Sequence, residues 1–203
     1  MRAKEKRHKY KEEFRREILD TARELFINEG YEKFSMRRLA DKIEYSPTSI
    51  YLHFKGKDDL LFAICEEFAE HFFTTLKDIR SHSKDPLDAL RQAMLYRIEF
   101  GLNNPNQYRV FYCANLNVYG TREDFMKRES IARNSYFVFR EMVQECIDTG
   151  QFCDLGAEVI TQALAAATHG LITANIFIKS FPWVDSTVLA TTLVDGLLRG
   201  FRK

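Results

Sequence analysis

Between Glu44 and Lys57 the chain reads "EYSPTSIYLHFKGK", where hydroxyl, phenol, imidazole and ammonium groups alternate with apolar side chains. Ile50 and Phe54 are four residues apart and share one helix face, while Thr48, Ser49, Tyr51 and His53 fall on the opposite arc. Each member of that arc can donate a hydrogen bond to a phosphate oxygen or a base edge, and the Thr48 methyl group suits thymine. Arg37 carries the planar fork that fits guanine or phosphate. Lys57 stands where a further helix starts, so its ammonium and the first-turn amides suit one phosphate. Singly, each is equally a solvated surface group or, for Tyr51, a partly buried ring. On one face beside a basic tail, they point to double-stranded DNA.

The elements that position these groups follow from spacing and punctuation. The basic N-terminal stretch can be helical to Asn28, with Phe14, Ile18, Ala22, Leu25 and Phe26 as its apolar stripe, and "NEGY" reads as a glycine cap followed by a residue that folds back on the last turn. Ser35 caps a short second helix whose inner face is Met36, Leu39, Ala40 and Ile43. The turn "EYS" leads to a third helix about two turns long, opened by Ser46 as N-cap and Pro47 at the first helical position. Two short helices joined by a tight turn and packed on a longer first helix form a helix-turn-helix, whose second member enters the major groove. A connecting helix spans 57–79.

Residues 18–64 resemble the DNA-binding domain of the tetracycline-repressor (TetR) family of bacterial regulators. The resemblance rests on "A-x-x-L-F-x-x-x-G-Y", "M-R-R-L-A" and "S-P-T-S-I-Y-x-H-F-K-G-K-D-D-L-L". It implies that Ser35, Arg37, Thr48, Ser49, Tyr51, His53 and Lys57 occupy DNA-contacting positions. Two residues depart from the family pattern: Glu44 stands where a turn glycine is usual, and Thr48 replaces another common glycine. A left-handed backbone at Glu44 would cost roughly 1 kcal/mol.

The remainder of the chain reads as helices too. Punctuation at "SHSKDP", "NNPNQ", "YGT", "TGQFCDLG" and "FPWVDS" gives an all-α fold of about nine helices. The expected division is a basic tail and DNA-binding domain over 1–57, and an effector-binding and dimerisation domain over 80–203. Charge follows it: residues 1–57 hold 15 Lys/Arg against 10 Asp/Glu, and residues 58–203 hold 15 against 19. Aromatic and polar groups in the second part suit a small-molecule pocket, with Phe68, Tyr96, Phe100, Phe111, Asn115, Tyr136 and His169 as candidate lining. "ALAAATHGLITANIF" (163–177) is similar to the Trp-His-Gly motif of one TetR subgroup, with Thr168 in the Trp position. By the resemblance, the last two helices (about 156–179 and 185–202) form a homodimer interface, with small residues at Ala163, Ala167, Gly170, Ala174, Thr192, Gly196 and Gly200.

The sequence also argues against several classes. No paired carboxylates stand with a His, and there is no phosphate-binding loop and no metal-ligand spacing, so the expectation is no enzyme, no cofactor and no metal. The N-terminus lacks an apolar signal region, and the uncharged run 159–178 carries too many polar groups for hydrocarbon, so a cytoplasmic protein without a membrane span is expected. The expectation is therefore a ligand-responsive repressor that binds a palindromic operator as a homodimer and is released by a small apolar or aromatic effector. The alternative is a small-molecule or cysteine redox sensor with weak or vestigial DNA binding, resting on Cys65, Cys113, Cys146 and Cys153.

Overall fold

The computed structural model describes residues 3–114 and 118–203. In chain order its helices are α1 (Ala3–Glu29), α2 (Met36–Lys42), α3 (Pro47–Tyr51), α4 (Lys57–His82), α5 (Pro86–Asn103), α6 (Pro105–Arg109), α7 (Arg122–Lys127), α8 (Ile131–Asp148), α9 (Ala157–Phe177) and α10 (Ser186–Phe201), with a π-helical turn at Val110–Ala114 after α6. Among the described residues there is no β-strand, only an isolated antiparallel bridge between Phe152 and Arg202. Among the described residues the chain adopts the expected all-α class, with ten α-helices against about nine. One separate helix arises where Thr121 and Asp124 close a capping box on α7 and Ser130 then caps α8 anew, its side chain accepting from the Arg133 amide.

The helices gather into two compact units. One contains the chain up to Phe68 together with Asn106–Arg128; the other contains Ala69–Pro105 and Glu129–Lys203. In the first, Phe14, Ile18, Ala22, Leu25 and Phe26 of α1 close on Met36, Leu39 and Ala40 of α2, on Ile50 and Phe54, and on Leu60, Leu61 and Ile64 of α4. The apolar stripes read from sequence are thus the core of this unit.

Its corners are set by local chemistry. Gly30 takes φ +81° and its amide donates to the Phe26 carbonyl at 3.1 Å, and Tyr31 folds back to stack on Phe26 with ring centroids 6.1 Å apart. The α2–α3 turn is a six-residue closure: the Tyr45 amide donates to the Ala40 carbonyl at 3.1 Å, and Glu44 between them holds φ +59°. It is the left-handed cap that glycine usually supplies, here made by glutamate, and the one non-glycine residue at positive φ among those described. α3 itself spans five residues, shorter than expected, because the His53 and Phe54 amides both close onto the Ile50 carbonyl, at 2.9 and 3.0 Å, and end the helix.

In the second unit α5 packs on α8, α9 and α10. Asp85 caps α5 and Asp185 caps α10, each accepting from first-turn amides. α9 is long and apolar enough to cross a membrane by length and composition. Its stripe Ala157, Ile160, Thr161, Leu164, Thr168, Ile172 and Ile176 is buried, as in a core helix. At Thr168 the hydroxyl donates back to the Leu164 carbonyl at 2.9 Å, which satisfies a polar group in the core.

Candidate nucleic-acid interface

The α2–α3 pair presents its polar groups on a buried base. Leu39 and Ile50 are fully buried and Phe54 nearly so, while Arg37, Thr48 and Tyr51 are exposed, Tyr51 at 54%. Ser46 Oγ accepts from the Ser49 amide at 3.2 Å and lies 2.9 Å from Ser49 Oγ, so the two serines brace the first turn of α3. Ser35 does the same for α2, its oxygen accepting from the Arg38 amide at 3.2 Å. A cap of this kind uses an oxygen lone pair and not the hydroxyl hydrogen. Both Ser35 and Ser49 are half-buried, so their structural duty is evident alongside any contact they make outward.

Neighbouring cations are already committed. Arg38 pairs with Glu29 at 2.8 Å and Lys42 with Glu24 at 2.9 Å, tying α2 to α1, and Arg23 bridges Asp20 at 2.7 Å and Glu67 at 2.5 Å, tying α1 to α4. Arg37 and Arg38 are both exposed, and it is the Glu29 pairing of Arg38 that sets them apart in a way the sequence does not reveal.

Two predicted residues have unexpected surroundings. His53 is half-buried with its ring edge-on to Phe14 at 5.2 Å, and burial, then the charges of Lys11 and Arg15, hold its imidazole below the usual value. It is therefore neutral near pH 7 and serves as a hydrogen-bonding group more than as a cation. Lys57 does not hang freely at the head of α4: its ammonium lies 4.0 Å from the centroid of the Tyr31 ring. The Tyr31 hydroxyl donates to Asp58, so one tyrosine after α1 fixes the start of α4.

Sequence reasoning missed Tyr31 and Tyr45 as parts of this surface, and the buried Phe14 as the ring that braces it. Phe14 and Tyr45 have ring centroids 4.3 Å apart, and Tyr10 Oη lies 3.4 Å from Tyr45 Oη. The signal was the aromatic spacing Tyr10–Phe14 at the head of the α1 stripe, which reads equally as core.

The candidate ligand residues divide between the units. In the first, Phe68 and Phe111 have ring centroids 5.2 Å apart. In the second, Tyr96 and Phe100 stack with Phe72 at 5.9 and 6.5 Å, and Thr75 Oγ1 donates to Tyr96 Oη at 3.2 Å. Tyr136 is half-buried on α8, and His169 is half-buried on α9, its imidazole held below the usual value by burial and by Arg97. Asn115 lies outside the described residues. Two concavities of the second unit, about 500 and 430 Å³, are lined by other residues, among them Lys77, Arg80 and Pro86 in one and Arg91, Asp195 and Arg199 in the other. Among the described residues no group of three or more His, Cys, Asp or Glu is placed to hold a metal ion.

The segment that carries this surface is similar to known proteins. Residues 18–64 match the bacterial regulatory proteins of the tetR family. Over 92 residues the chain is 30% identical to the HTH-type transcriptional regulator SAB2452 of Staphylococcus aureus strain bovine RF122, covering 45% of this chain and 50% of that protein. The regulator SAUSA300_2515 of S. aureus strain USA300 is 29% identical over the same length and shares. The chain thus spans about half the length of the curated relatives it matches.

Solved structures extend the likeness of fold to nearly the whole chain. A TetR/AcrR-family regulator from Thermobifida fusca aligns with TM-score 0.67 and 23% identity over 94% of this chain and all of that one. The regulator FadR of Bacillus subtilis, solved in complex with stearoyl-CoA, aligns with TM-score 0.75 and 18% identity over 92% and 98%. The match to the tetR family is thus carried by residues 18–64, and the solved structures show the likeness of an all-helical fold over nearly the whole chain.

Proposed function

We propose that the chain is a homodimeric, ligand-responsive repressor that binds a palindromic DNA operator and is released from it by a small effector with an apolar or aromatic body. The observation that carries this reading is the exposed face of Arg37, Thr48 and Tyr51 on a helix-turn-helix whose core is complete. Ser35, Ser49, His53 and Lys57 border that face and take the backbone-positioning contacts. In this reading the DNA-binding part is residues 1–57, with α4 connecting it to an effector and dimerisation part over 80–203. A DNA-binding regulator of this kind works in the cytoplasm.

Two further features favour it. Along α9 and α10 the side turned from the core carries small uncharged residues, Ala163, Ala166 and Gly170, then Thr192, Gly196 and Gly200, all exposed, with the exposed apolar Val159, Phe177 and Val188 along the same helices. Two such helices from each of two copies make a four-helix interface, and the resulting two-fold presents the recognition helices about one DNA turn apart, roughly 34–36 Å. Second, α4 runs unbroken past Phe68, where the two units meet along the chain, so a shift of this helix on effector binding reaches the helix-turn-helix directly.

At Cys65 and Cys146 the redox alternative has little support from thiol chemistry. Burial pushes both Cys65 and Cys146 up to about 12, far from a reactive thiolate at neutral pH.

The test is selection from a randomised 30-base-pair duplex pool by the purified chain, with sedimentation of the selected complex and a repeat with and without reductant. Enrichment of a palindrome bound by two chains is expected, unaffected by reductant. Absence of any DNA binding, or binding governed by reductant, overturns the proposal.

A further inference from the structure

The core stripe of α1 does not stop at Phe14; it changes chemistry. From residue 5 onward Phe14 is the first buried residue of the helix, residues 5–13 being all exposed, yet α1 is helical from Ala3. At 1.5 Å per residue, about 16 Å of helix therefore extends N-terminal to the core. In helical register Arg7, Lys11, Phe14, Arg15 and Ile18 fall with His8 within an arc of about 120°. No acidic residue of α1 shares that arc before Ile18: Glu5, Glu12, Glu13 and Glu17 all lie outside it. The opposite arc is mixed, with Lys6, Lys9 and Arg16 among those acids and an ion pair between Lys9 and Glu13 at 3.7 Å.

The basic arc is registered to the recognition element by contact. Phe14 meets Tyr45 and His53 at 4.3 and 5.2 Å, and Tyr10 Oη approaches Tyr45 Oη at 3.4 Å. The Arg15 guanidinium lies 4.3 Å over the Phe54 ring. Lys11 and Arg15, and with opposite sign Glu12, all bear on His53 electrostatically, so this stretch of α1 lies beside it, and the Phe14 and Arg15 ring contacts set which face is turned inward. A solvated helix of mixed charge has no reason to sort its acids away from one arc. A helix that lies along a polyanion does.

We propose that the N-terminal extension of α1 is a second DNA-contacting element, in which Arg7 and Lys11, followed by Arg15, grip backbone phosphates flanking the base pairs that α3 reads. The proposal rests on the DNA-binding reading above. From Arg7 to Arg15 the arc covers about 12 Å, enough to follow one strand for about three nucleotides beyond the helix-turn-helix contacts. These contacts carry no sequence information, so they add affinity equally on all sequences.

The test is binding of the full chain to a mixed-sequence 30-base-pair duplex across a salt series. Arg7→Gln/Lys11→Gln is compared with Lys6→Gln/Lys9→Gln, which removes the same charge from the other arc. Gln is nearly as good a helix former as Arg or Lys, and circular dichroism and melting check that both variants fold alike. The expected result is a salt dependence shallower by about 1.8 per protomer for Arg7→Gln/Lys11→Gln, with less than half that change for Lys6→Gln/Lys9→Gln. Equal changes for the two pairs, or none for the first, overturn this proposal while leaving DNA binding by the helix-turn-helix intact. If the unmodified chain fails to bind the duplex even at low salt, the repressor reading itself falls, and this inference with it.

Discussion

The Lys57 ammonium rests 4.0 Å from the centre of the Tyr31 ring, and the hydroxyl of the same ring donates to Asp58. One side chain thus holds two consecutive residues at the start of α4, the place where a phosphate is expected to sit. The arrangement restricts a flexible lysine before DNA arrives, and that lowers the entropy lost when it binds.

Separate substitutions can divide these roles. Lys57→Ala removes a phosphate contact and is expected to weaken binding to every sequence, with the salt slope reduced by about one. Tyr31→Leu keeps the charge but loses the ring, so a two- to fivefold loss of affinity is expected, equivalent to about 0.5–1 kcal/mol of cation–π attraction. Tyr31→Phe keeps the ring and loses one hydrogen bond: affinity stays within twofold while stability falls by about 1 kcal/mol. Fluorescence anisotropy with labelled duplex and urea denaturation measure the two quantities. An affinity loss for Tyr31→Phe as large as for Tyr31→Leu would show that the ring face is irrelevant.

Glu44 offers a test of backbone strain. Its φ of +59° is costly for any residue with a Cβ, and neither the hydrogen-bonded turn nor its exposure offers the glutamate side chain compensation. Glu44→Gly is expected to stabilise the first unit by about 1 kcal/mol, whereas Glu44→Ala, which keeps the strain, changes stability little. Both remove a negative charge beside α3, so both bind DNA somewhat more tightly. Chemical denaturation curves that rank Ala with Gly would place the effect in the charge instead of the backbone.

Much of this surface was legible because its signals are local. Ser35, Ser46 and Pro47 fix two helix starts within a few residues, and Gly30 followed by Tyr31 fixes the α1 end. The strained turn at Glu44 was legible too, since a departure from glycine at a sharp corner leaves few backbone options. What escaped depends on neighbours distant in sequence. Lys57 looks solitary until Tyr31 is brought over it, and Arg37 looks equivalent to Arg38 until Glu29 takes the latter. The π-helical turn at Val110–Ala114 and the grouping of 106–128 with the first unit have no counterpart in periodicity, because they follow from packing on α1.

The two histidines with depressed values give a pH dependence whose sign can be worked out. Burial and Arg97 hold His169 below its ordinary value, so as pH falls the unfolded chain takes up the proton before the folded one. Stability is therefore full above about pH 6.5 and is lost as pH falls from there toward the lower folded value. His53 acts in the same direction, through burial, Lys11 and Arg15. His169→Gln is expected to flatten the stability profile between about pH 7.5 and 5 for the second unit, and His53→Gln to do so for the first. Parallel profiles for the variants and the unmodified chain, measured by urea denaturation at each pH, would contradict this account.

The small-residue face of α9 and α10 yields a prediction in which stability and assembly move apart. A Cβ built on Gly170 or on Gly196 meets nothing within 4 Å, and both residues are exposed. Within one chain, then, a larger residue fits, and replacing a mid-helix glycine contributes about 0.5–1 kcal/mol to helix stability. In the proposed dimer the same positions are expected where two helices approach closely. Gly196→Ala is expected to leave the chain at least as stable and still dimeric. Gly170→Glu/Gly196→Glu brings four carboxylates to the interface of two copies, and their desolvation and mutual repulsion are expected to release monomers that keep full helicity. Such monomers bind a half-site but lose at least tenfold in affinity for the palindrome, because the second helix-turn-helix no longer arrives tethered to the first. Sedimentation velocity and anisotropy on half-site and full-site duplexes read these outcomes. A doubly substituted chain that remains dimeric would move the interface to another face of the fold.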